Sequence, residues 1–317
     1  MDPEAAHALS SVDSRPPCGV LVVDKPGGIT SHDVVGRIRR IFRTKRVGHT
    51  GTLDPLASGV LVICLGQATR IAEYLSGDSK EYIAGIEFGI TTDSQDITGQ
   101  VLTQRDASQI TLADVEKALL GFRGATRQIP PMVSAIHHNG QRLYDLARQG
   151  IEVDREARPV TFHEIELLNF TPGERGTAEI RVRCSAGAYI RTLAHDIGRT
   201  VGSGATMTSL RRISAGTFTI DQAVAFDQLK KDADAGIERE RLLSIRGALP
   251  NWPIRHLNAE EEVRIQHGMK IYAGDMAGEG STALLISSAG YEYALAELTE
   301  GELQPFKVFP TAEMVPA

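Results

Sequence analysis

One aspartate stands out because of the loop that carries it. Asp54 lies within residues 48–59, whose sequence GHTGTLDPLASG holds three glycines and a proline. Pro55 disfavours a helical backbone at Asp54 and so keeps the carboxylate on an extended, stiff segment. A carboxylate presented from such a loop can act as a nucleophile or a general base. The alternative is an ordinary turn in which Asp54 only caps the backbone.

Two further segments combine side chains that suit the same chemistry. In GAYIRT, at residues 187–192, Tyr189 and Arg191 point the same way if the backbone is extended. An arginine beside a phenol could pair with a carboxylate and keep it ionised, although a core tyrosine and a surface arginine would show the same spacing. Arg211 and Arg212 are a third candidate, either as phosphate ligands or as solvated charges.

Hydrophobic periodicity predicts the elements that must position these residues. Residues 20–23 form a β-branched run that ends at the turn residues 25–28, and Thr30 is an N-cap candidate for a helix to about Phe42. That helix would bury one apolar face and carry only arginines on the other. The same criteria predict strands over 81–90 and 179–184 and helices over 111–122, 143–149 and 193–201.

The length of 317 residues exceeds that of one typical domain. We expect residues 1–18 to be a flexible tail, residues 19–250 to form an α+β domain, and residues 251–317 to form a small, mostly β module. Residues 124–152, rich in turn signals, look like an insertion in the larger domain. The chain shows no long apolar run, no secretory pattern and only three scattered cysteines. We therefore expect a cytoplasmic protein without a bound metal.

Seven segments together resemble the TruB family of tRNA pseudouridine synthases, in its bacterial form. They are KPGGITSHD at 25–33, GHTGTLDPLASG at 48–59, KEY at 80–82, IPPMVSA at 129–135, RLYDLARQG at 142–150, YIR at 189–191 and LRR at 210–212. The resemblance implies a pseudouridine synthase fold, with a mixed, largely antiparallel central sheet flanked by helices. The C-terminal module resembles, more loosely, a PUA domain. The implied reaction is isomerisation of uridine 55 in the tRNA T-loop to pseudouridine, without a cofactor.

The resemblance also assigns roles to single residues. Asp54 aligns with the catalytic aspartate, which acts on the ribose C1′ or takes the C2′ proton. Tyr82 aligns with the tyrosine that stacks on the target base, and Arg191 with the arginine that pairs with the aspartate. The base must leave the RNA stack to reach such a pocket. The expected substrate-binding residues are Lys25, His49, Tyr189, Leu210, Arg211 and Arg212.

Net charge alone would argue against an RNA ligand, because 40 Asp+Glu outweigh 34 Lys+Arg. Residues 275–317 hold seven acids and one lysine and so carry the whole imbalance, whereas residues 36–48 hold six basic residues and no acid. We expect this basic segment to meet RNA phosphates. The expected partner is tRNA alone, with no membrane, no obligate protein partner and a monomeric state.

Three other functions stay open at this point. An RNA-binding or tRNA-folding chaperone could use the same cleft, although intact Asp54, Tyr82 and Arg191 argue against loss of activity. A guide-RNA-dependent synthase of box H/ACA particles is disfavoured by the long insertion and the small C-terminal module. A carboxylate glycosidase would need a second acid across the scissile bond, and no second carboxylate motif stands out.

The insertion departs from the family pattern in one place. Residues 124–152 align with an RNA-binding thumb, but HHNGQ at 137–141 stands where the family commonly carries two lysines. Because histidines are mostly neutral above about pH 6.5, we predict that RNA affinity rises modestly from about pH 8 to about pH 6. Binding measured over this range should lose its trend when His137 and His138 are both changed to Ala. An unchanged profile in the double variant would contradict the prediction.

Overall fold

Two β-sheets, one of ten strands and one of five, organise the chain in a computed structural model. The structure describes residues 16–309 apart from residues 78, 135, 139, 277 and 279. The side chains of residues 137, 138, 142, 144, 147 and 148 also lie outside the description, and with them the predicted role of His137 and His138. The expected tail, residues 1–18, is almost wholly outside the described part.

The described strands and helices follow one another in chain order. The strands are β1 (Gly19–Lys25), β2 (Val47–His49), β3 (Ser58–Leu65), β4 (Ser79–Phe88), β5 (Ile90–Thr92), β6 (Val101–Gln104), β7 (Gly124–Gln128), β8 (His137–His138), β9 (Gln141–Arg142), β10 (Arg158–Thr171), β11 (Thr177–Ser185), β12 (Ala205–Ala215), β13 (Phe218–Thr219), β14 (Val224–Ala225), β15 (Ile254–His256), β16 (Ile271–Tyr272), β17 (Thr282–Ile286), β18 (Glu292–Thr299) and β19 (Glu302–Val308). The α-helices are α1 (Ser31–Ile41), α2 (Ala72–Leu75), α3 (Leu112–Phe122), α4 (Leu143–Arg148), α5 (Ile190–Thr200), α6 (Phe226–Asp234), α7 (Ile245–Ala248) and α8 (Ala259–Gln266).

The large sheet has the strand order β14-β1-β3-β12-β4-β11-β10-β7, with β2 beside β3 and β13 beside β12. Its described pairs are antiparallel except for β1 with β14 and β3 with β12, which are parallel. The expected α+β fold with a mixed, largely antiparallel sheet is confirmed. The predicted helix at residues 30–42 is also confirmed, since Thr30 closes a capping box with Asp33 at the start of α1.

The two faces of the large sheet pack against different partners. Successive residues of a strand point to opposite faces, so Leu21 of β1 packs with apolar residues of α1, α3 and α5 in one core. Val20 and Val22 belong instead to a second core, which they share with residues of the C-terminal strands such as Leu284 and Leu295. The chemistry-bearing loops and the C-terminal module therefore lie on opposite sides of β1 and β3.

Several polar contacts add to the shared core between the sheet and the C-terminal module. Arg70 Nη1 donates to Val308 O at 2.6 Å, and Lys307 Nζ donates to Arg70 O at 2.7 Å and contacts the Glu73 carboxylate. The ring of Trp252 lies edge-on to Tyr74, with 5.2 Å between centroids. The small, mostly β module is confirmed, with the sheet order β15-β17-β18-β19-β16. Its boundary at residue 250 stays a prediction.

The insertion at residues 124–152 begins inside the large sheet. Its first strand, β7, forms the sheet edge by pairing with β10, and the chain leaves the sheet only after Gln128. The β8–β9 pair and α4 follow. The extent of the insertion and its role as a thumb stay predictions. Every helix within the described residues is too short or too polar to serve as a membrane span.

Because the C-terminal module shares a core with β1 and β3, we predict that the two unfold together. Leu284→Ala should lower the free energy of unfolding by about 2–5 kcal/mol through the cavity it leaves. The unfolding transitions followed by fluorescence of the single tryptophan, Trp252, and by far-UV circular dichroism should shift together to lower denaturant concentration. Leu102→Ala is the control, because this side chain is 64% exposed and should change stability by under about 0.5 kcal/mol. Two separate transitions would contradict the prediction.

Candidate active site

Three buried side chains hold the loop that carries Asp54. Ser31 Oγ accepts from Leu53 N at 2.8 Å and donates to Leu53 O at 3.0 Å, which ties the loop to the first turn of α1. Lys25 Nζ, at the end of β1, donates to Ala57 O at 2.6 Å. Arg212 of β12 donates from Nη2 to Gly51 O at 3.1 Å. The loop is therefore fixed from three different elements of the fold.

A glycine is required where this loop enters β3. Gly59 has φ +100°, a backbone conformation that side chains rarely adopt, and a Cβ there would lie 2.2 Å from Arg212 O. The same contact lets Arg212 Nε reach Val60 O at 2.7 Å. The close approach of β3 and β12 thus explains why the segment that follows Asp54 ends in glycine.

Asp54 faces Arg191, a buried arginine in the first turn of α5. Arg191 Nη2 lies 3.1 Å from Asp54 Oδ2, and only 4% of the Arg191 side chain is exposed. The guanidinium also donates to Val133 O at 2.5 Å, and its Nη1 lies 3.8 Å from Asp96 Oδ2. Arg191 therefore stands between two carboxylates, as a buried cation must have partners to offset its lost hydration.

Asp96 belongs to this arrangement but was not predicted from the sequence. Its side chain is buried, and Oδ1 accepts hydrogen bonds from Ser94 Oγ at 2.9 Å and Thr98 N at 3.0 Å. These bonds leave Oδ2 to face Arg191. The only signal for it in the sequence is the polar stretch TTDSQDITGQ at 91–100, which reads as a simple turn between β5 and β6.

Burial shifts the proton equilibria of the groups around the loop. Solvent reaches 37% of the Asp54 side chain through the cavity, yet burial still raises the pKa of Asp54, while Arg191 acts against this rise. Burial lowers the pKa of Lys25 to about 8 and that of His49 below its ordinary value. Burial also raises the pKa of Tyr82, so this phenol is protonated at neutral pH. Asp54 is thus a carboxylate of increased basicity that a fixed cation helps to keep ionised.

A cavity of about 380 Å³ opens above Asp54, a size typical of small-ligand sites. Six of the predicted site residues line it together: Asp54, Tyr82, Tyr189, Arg191, Leu210 and Arg212. The walls also include Ser134 and Ile136 of the insertion, Met207 of β12 and Lys80 of β4. The cavity therefore combines a carboxylate, two guanidinium groups, two phenols and apolar faces.

The other three predicted site residues lie outside the cavity walls. Lys25 is fully buried beneath the loop and donates to backbone carbonyls. Arg211 points away from the cavity and pairs with both oxygens of Asp24, at 2.8 and 3.2 Å. His49 is half-buried on β2. Their role in substrate binding stays a prediction.

A basic surface begins beside the loop. Ser31, which anchors the loop, opens α1, and the basic residues of α1 and of the segment after it are all exposed: Arg37, Arg39, Arg40, Arg43, Lys45 and Arg46. A run of exposed cations of this kind suits contact with a polyanion. Over the described residues, no group of three or more His, Cys, Asp or Glu side chains is placed to hold a metal ion.

Two family models cover this part of the chain. One, described as the N-terminal domain of TruB family pseudouridylate synthase, matches residues 39–190, and the tRNA pseudouridylate synthase B C-terminal domain matches residues 191–246. The protein called tRNA pseudouridine synthase B in Saccharophagus degradans is 43% identical to this chain over 298 residues, which cover 92% of this chain and 95% of that protein. The chain belongs to the TruB family of pseudouridylate synthases. It is therefore an isomerase, as the resemblance implied.

Other relatives agree with this family membership. The tRNA pseudouridine synthase B of Symbiobacterium thermophilum is 47% identical over 263 residues, with 83% of this chain and 84% of that protein covered. A crystal structure of a Cbf5–Nop10–Gar1 complex contains a chain that is 25% identical to this one, with a TM-score of 0.69, and the match covers 97% of this chain and 90% of that one. An H/ACA RNP bound to a substrate RNA contains a chain of the same fold, at 24% identity and a TM-score of 0.69, covering 93% and 86%.

The raised pKa of Asp54 predicts a stability cost that depends on pH. Because the pKa is higher in the folded than in the unfolded chain, ionisation of Asp54 favours the unfolded state. The cost is absent below about pH 4, the ordinary range of an aspartate, and is complete above the folded-state pKa. Asp54→Asn, which keeps an oxygen for Arg191, should therefore raise the melting temperature at neutral and alkaline pH, and the gain should vanish in acid.

A second aspartate provides the matched control for this measurement. Hydrogen bonds from Ser108 lower the pKa of the exposed Asp106, so Asp106→Asn should change stability in the opposite direction above about pH 4. Thermal unfolding of both variants over a pH series tests the pair. A lower melting temperature for Asp54→Asn at about pH 8, relative to the unaltered protein, would show the sign to be wrong.

Proposed function

We propose that this enzyme converts uridine 55 in the T-loop of tRNA to pseudouridine, with Asp54 as the catalytic carboxylate. The observation that carries the proposal is the 3.1 Å ion pair of Asp54 and Arg191 at the floor of a cavity walled by aromatic and apolar side chains. The relatives called tRNA pseudouridine synthase B, which align over more than four-fifths of the chain, support tRNA as the substrate.

The proposed chemistry needs an ionised carboxylate beside the ribose of the target nucleotide. In one route a carboxylate oxygen of Asp54 bonds to C1′ as the C1′–N1 bond breaks, and the electron pair leaves with the uracil. In the other route Asp54 takes the C2′ proton as that bond breaks, which leaves a glycal. After the base rotates, C5 bonds to C1′ in both routes, and Asp54 is released by breaking its bond to C1′ or by returning the proton to C2′. C5 then loses its proton to water and N1 takes one up, so the product is an isomer of the uridine. The raised pKa makes Asp54 a better base and nucleophile than an ordinary aspartate.

The protonated phenols of Tyr82 and Tyr189 suit contact with the uracil ring during these reaction steps. Tyr82 is buried beside Asp54 and offers a ring face for stacking, and its hydroxyl can relay a proton near C5. Tyr189 and Leu210 are the other faces against which the base would pack. A flat pocket of this kind holds a uracil before and after it rotates, because stacking does not depend on which ring atom faces C1′.

The target uridine must leave the folded T-loop to enter the cavity. Such flipping costs a few kcal/mol, which stacking on the two tyrosines and phosphate contacts outside the cavity would offset. The exposed basic residues of α1 and the following segment are the proposed phosphate contacts, and His49 and Arg211 are proposed to contact the RNA outside the cavity. The insertion, with Ser134 and Ile136 on the cavity wall, would close over the RNA as a thumb.

The remaining parts of the proposal concern partners and location. We propose a cytoplasmic enzyme that acts as a monomer without an obligate protein partner, because the long insertion and the small C-terminal module favour a standalone form. The C-terminal module would act as a PUA-like RNA-binding domain with little electrostatic attraction. A second role in tRNA folding is also proposed, because the basic surface of α1 lies outside the cavity and does not depend on Asp54.

Release of tritium tests the catalytic proposal. A tRNA labelled with tritium at uridine C5 should lose its label to water when incubated with the enzyme, because C5 loses its hydrogen on forming the new bond. Asp54→Asn should slow release by at least about 100-fold and still bind tRNA. A transcript with cytidine in place of uridine 55 alone should release none.

The surface variant Asp106→Asn makes the same change from carboxyl to amide and should release tritium at the unaltered rate. Tight tRNA binding by the unaltered protein without any tritium release would refute the enzymatic proposal. Undiminished release by Asp54→Asn would refute the role of this carboxylate. Undiminished release from the cytidine 55 transcript would refute the site on the RNA.

A further inference from the structure

We propose that Gln128, at the root of the insertion, is a positioning residue that sets the placement of Tyr189 and Arg191 in the active site. The inference rests on the proposed function, since it assigns a role in the same reaction. Gln128 ends β7 and is buried, with 4% of its surface exposed. It was not among the residues predicted from the sequence.

The side-chain amide of Gln128 holds the backbone of Tyr189 at two points. Tyr189 N donates to Gln128 Oε1 at 2.9 Å, and Gln128 Nε2 donates to Tyr189 O at 3.2 Å. The amide therefore satisfies one donor and one acceptor, as a neighbouring strand would. It does so where β11 has ended and α5 has not yet begun.

The residue held in this way opens the helix that carries Arg191. Tyr189 is the N-cap of α5, and its side chain makes no capping hydrogen bond. The position of the first turn of α5 therefore depends on hydrogen bonds to its backbone and to neighbouring side chains. Along the chain, the paired hydrogen bonds between Gln128 and the Tyr189 backbone are the first of these contacts. Thr192 Oγ1 adds a bond to Gln95 Oε1 at 2.8 Å on the other side.

The contacts that Arg191 makes allow little displacement of this turn. The same nitrogen, Nη2, lies 2.5 Å from Val133 O and 3.1 Å from Asp54 Oδ2. Val133 and Gln128 belong to one short segment at the start of the insertion. The root of the insertion therefore contacts the catalytic arginine directly and also holds the turn on which that arginine stands.

This arrangement connects RNA contact to catalysis. Arg155, three residues beyond the end of the insertion, donates to Pro130 O at 3.1 Å and so steadies the segment between Gln128 and Val133. Any movement of the insertion on the RNA is passed through this segment to Tyr189 and Arg191. Gln128 is the side chain that makes the connection rigid, because both of its polar groups are used.

Loss of the amide should appear in the titration of Asp54. The charged and titratable groups that face Asp54 are Arg191, Asp96 and Lys25, with Tyr82, Tyr189, Lys80 and Arg212 on the walls of the same cavity. Arg191 is the strongest of the influences that lower the pKa of Asp54. If Arg191 moves away, this pKa rises, and the acidic limb of the rate profile moves to higher pH.

Three variants test the proposal under single-turnover conditions, with enzyme in excess over tritium-labelled tRNA. Gln128→Met keeps the volume and removes both hydrogen bonds. Gln128→Asn keeps the polar groups on a side chain too short to reach both partners, and it carries the test if the Met variant does not fold. Thr126→Ala is the matched control, two residues earlier on the same face of β7.

We expect Gln128→Met and Gln128→Asn to slow the single-turnover rate about 10- to 100-fold, with unchanged tRNA affinity and an acidic limb moved to higher pH. Thr126→Ala should leave rate, affinity and pH profile unchanged. A folded Gln128 variant as fast as the unaltered protein would overturn the proposal. So would a loss confined to tRNA affinity, or an equal loss of rate in Thr126→Ala.

A second readout separates this inference from the proposed function. The pKa of Asp54, followed by NMR of carboxyl-labelled protein without RNA, should be higher in Gln128→Met than in the unaltered protein. An unaltered protein that released no tritium would refute the proposed function alone, and the NMR titration would still decide the placement of Arg191. An unchanged Asp54 pKa in the folded variant would overturn the role of Gln128.

Discussion

The buried ion pair of Asp54 and Arg191 is the interaction on which the rest of the site depends. A carboxylate in a walled cavity stays ionised only with a cation close by, and a cation that is 96% buried needs partners of its own. Asp96 and Val133 O supply them. Four segments that are far apart in sequence therefore meet at this pair: the loop before β3, the turn after β5, the start of α5 and the root of the insertion.

The loop around Asp54 is rigid because two more buried cations lie beneath it. Lys25 and Arg212 are each at most 2% exposed, and their donors are used by loop and strand carbonyls. Together with Arg191 they place three cations beside the two carboxylates Asp54 and Asp96. Of these cations, Arg191 and then Lys25 favour an ionised Asp54 and limit the rise in its pKa that burial causes. Lys25 thus both supports the loop and helps to lower the pKa of its carboxylate.

The local sequence pattern was sufficient to predict the secondary-structure elements and the site residues within motifs. It was insufficient to predict contacts between segments that are far apart in the sequence. The capping residue Thr30 and the alternation in β4 predicted a helix and a strand that the structure confirms. Alternation also explains why the twin arginines differ, since Arg212 points to the face of Leu210 whereas Arg211 points to the other. The partner of Arg211, Asp24, is 187 positions away, and no local pattern indicates that pairing. Asp96 was missed for the same reason, because its hydrogen bonds form a turn that looks ordinary without Arg191 beside it.

The placement of the C-terminal module explains how an acidic chain can present a surface suited to RNA. Alternate residues of β1 point to opposite faces, so the module packs against Val20 and Val22 while α1 packs on the side of Leu21. The sheet thus lies between the described acids of the module, such as Glu292 and Glu297, and the exposed arginines of α1, Arg37, Arg39 and Arg40. At physiological ionic strength charges are screened beyond about 8 Å, a distance that a packed sheet with side chains on both faces exceeds. An approaching phosphate backbone therefore meets the local field of the arginines of α1, while the core that the module shares with β1 and β3 adds to the stability of the sheet.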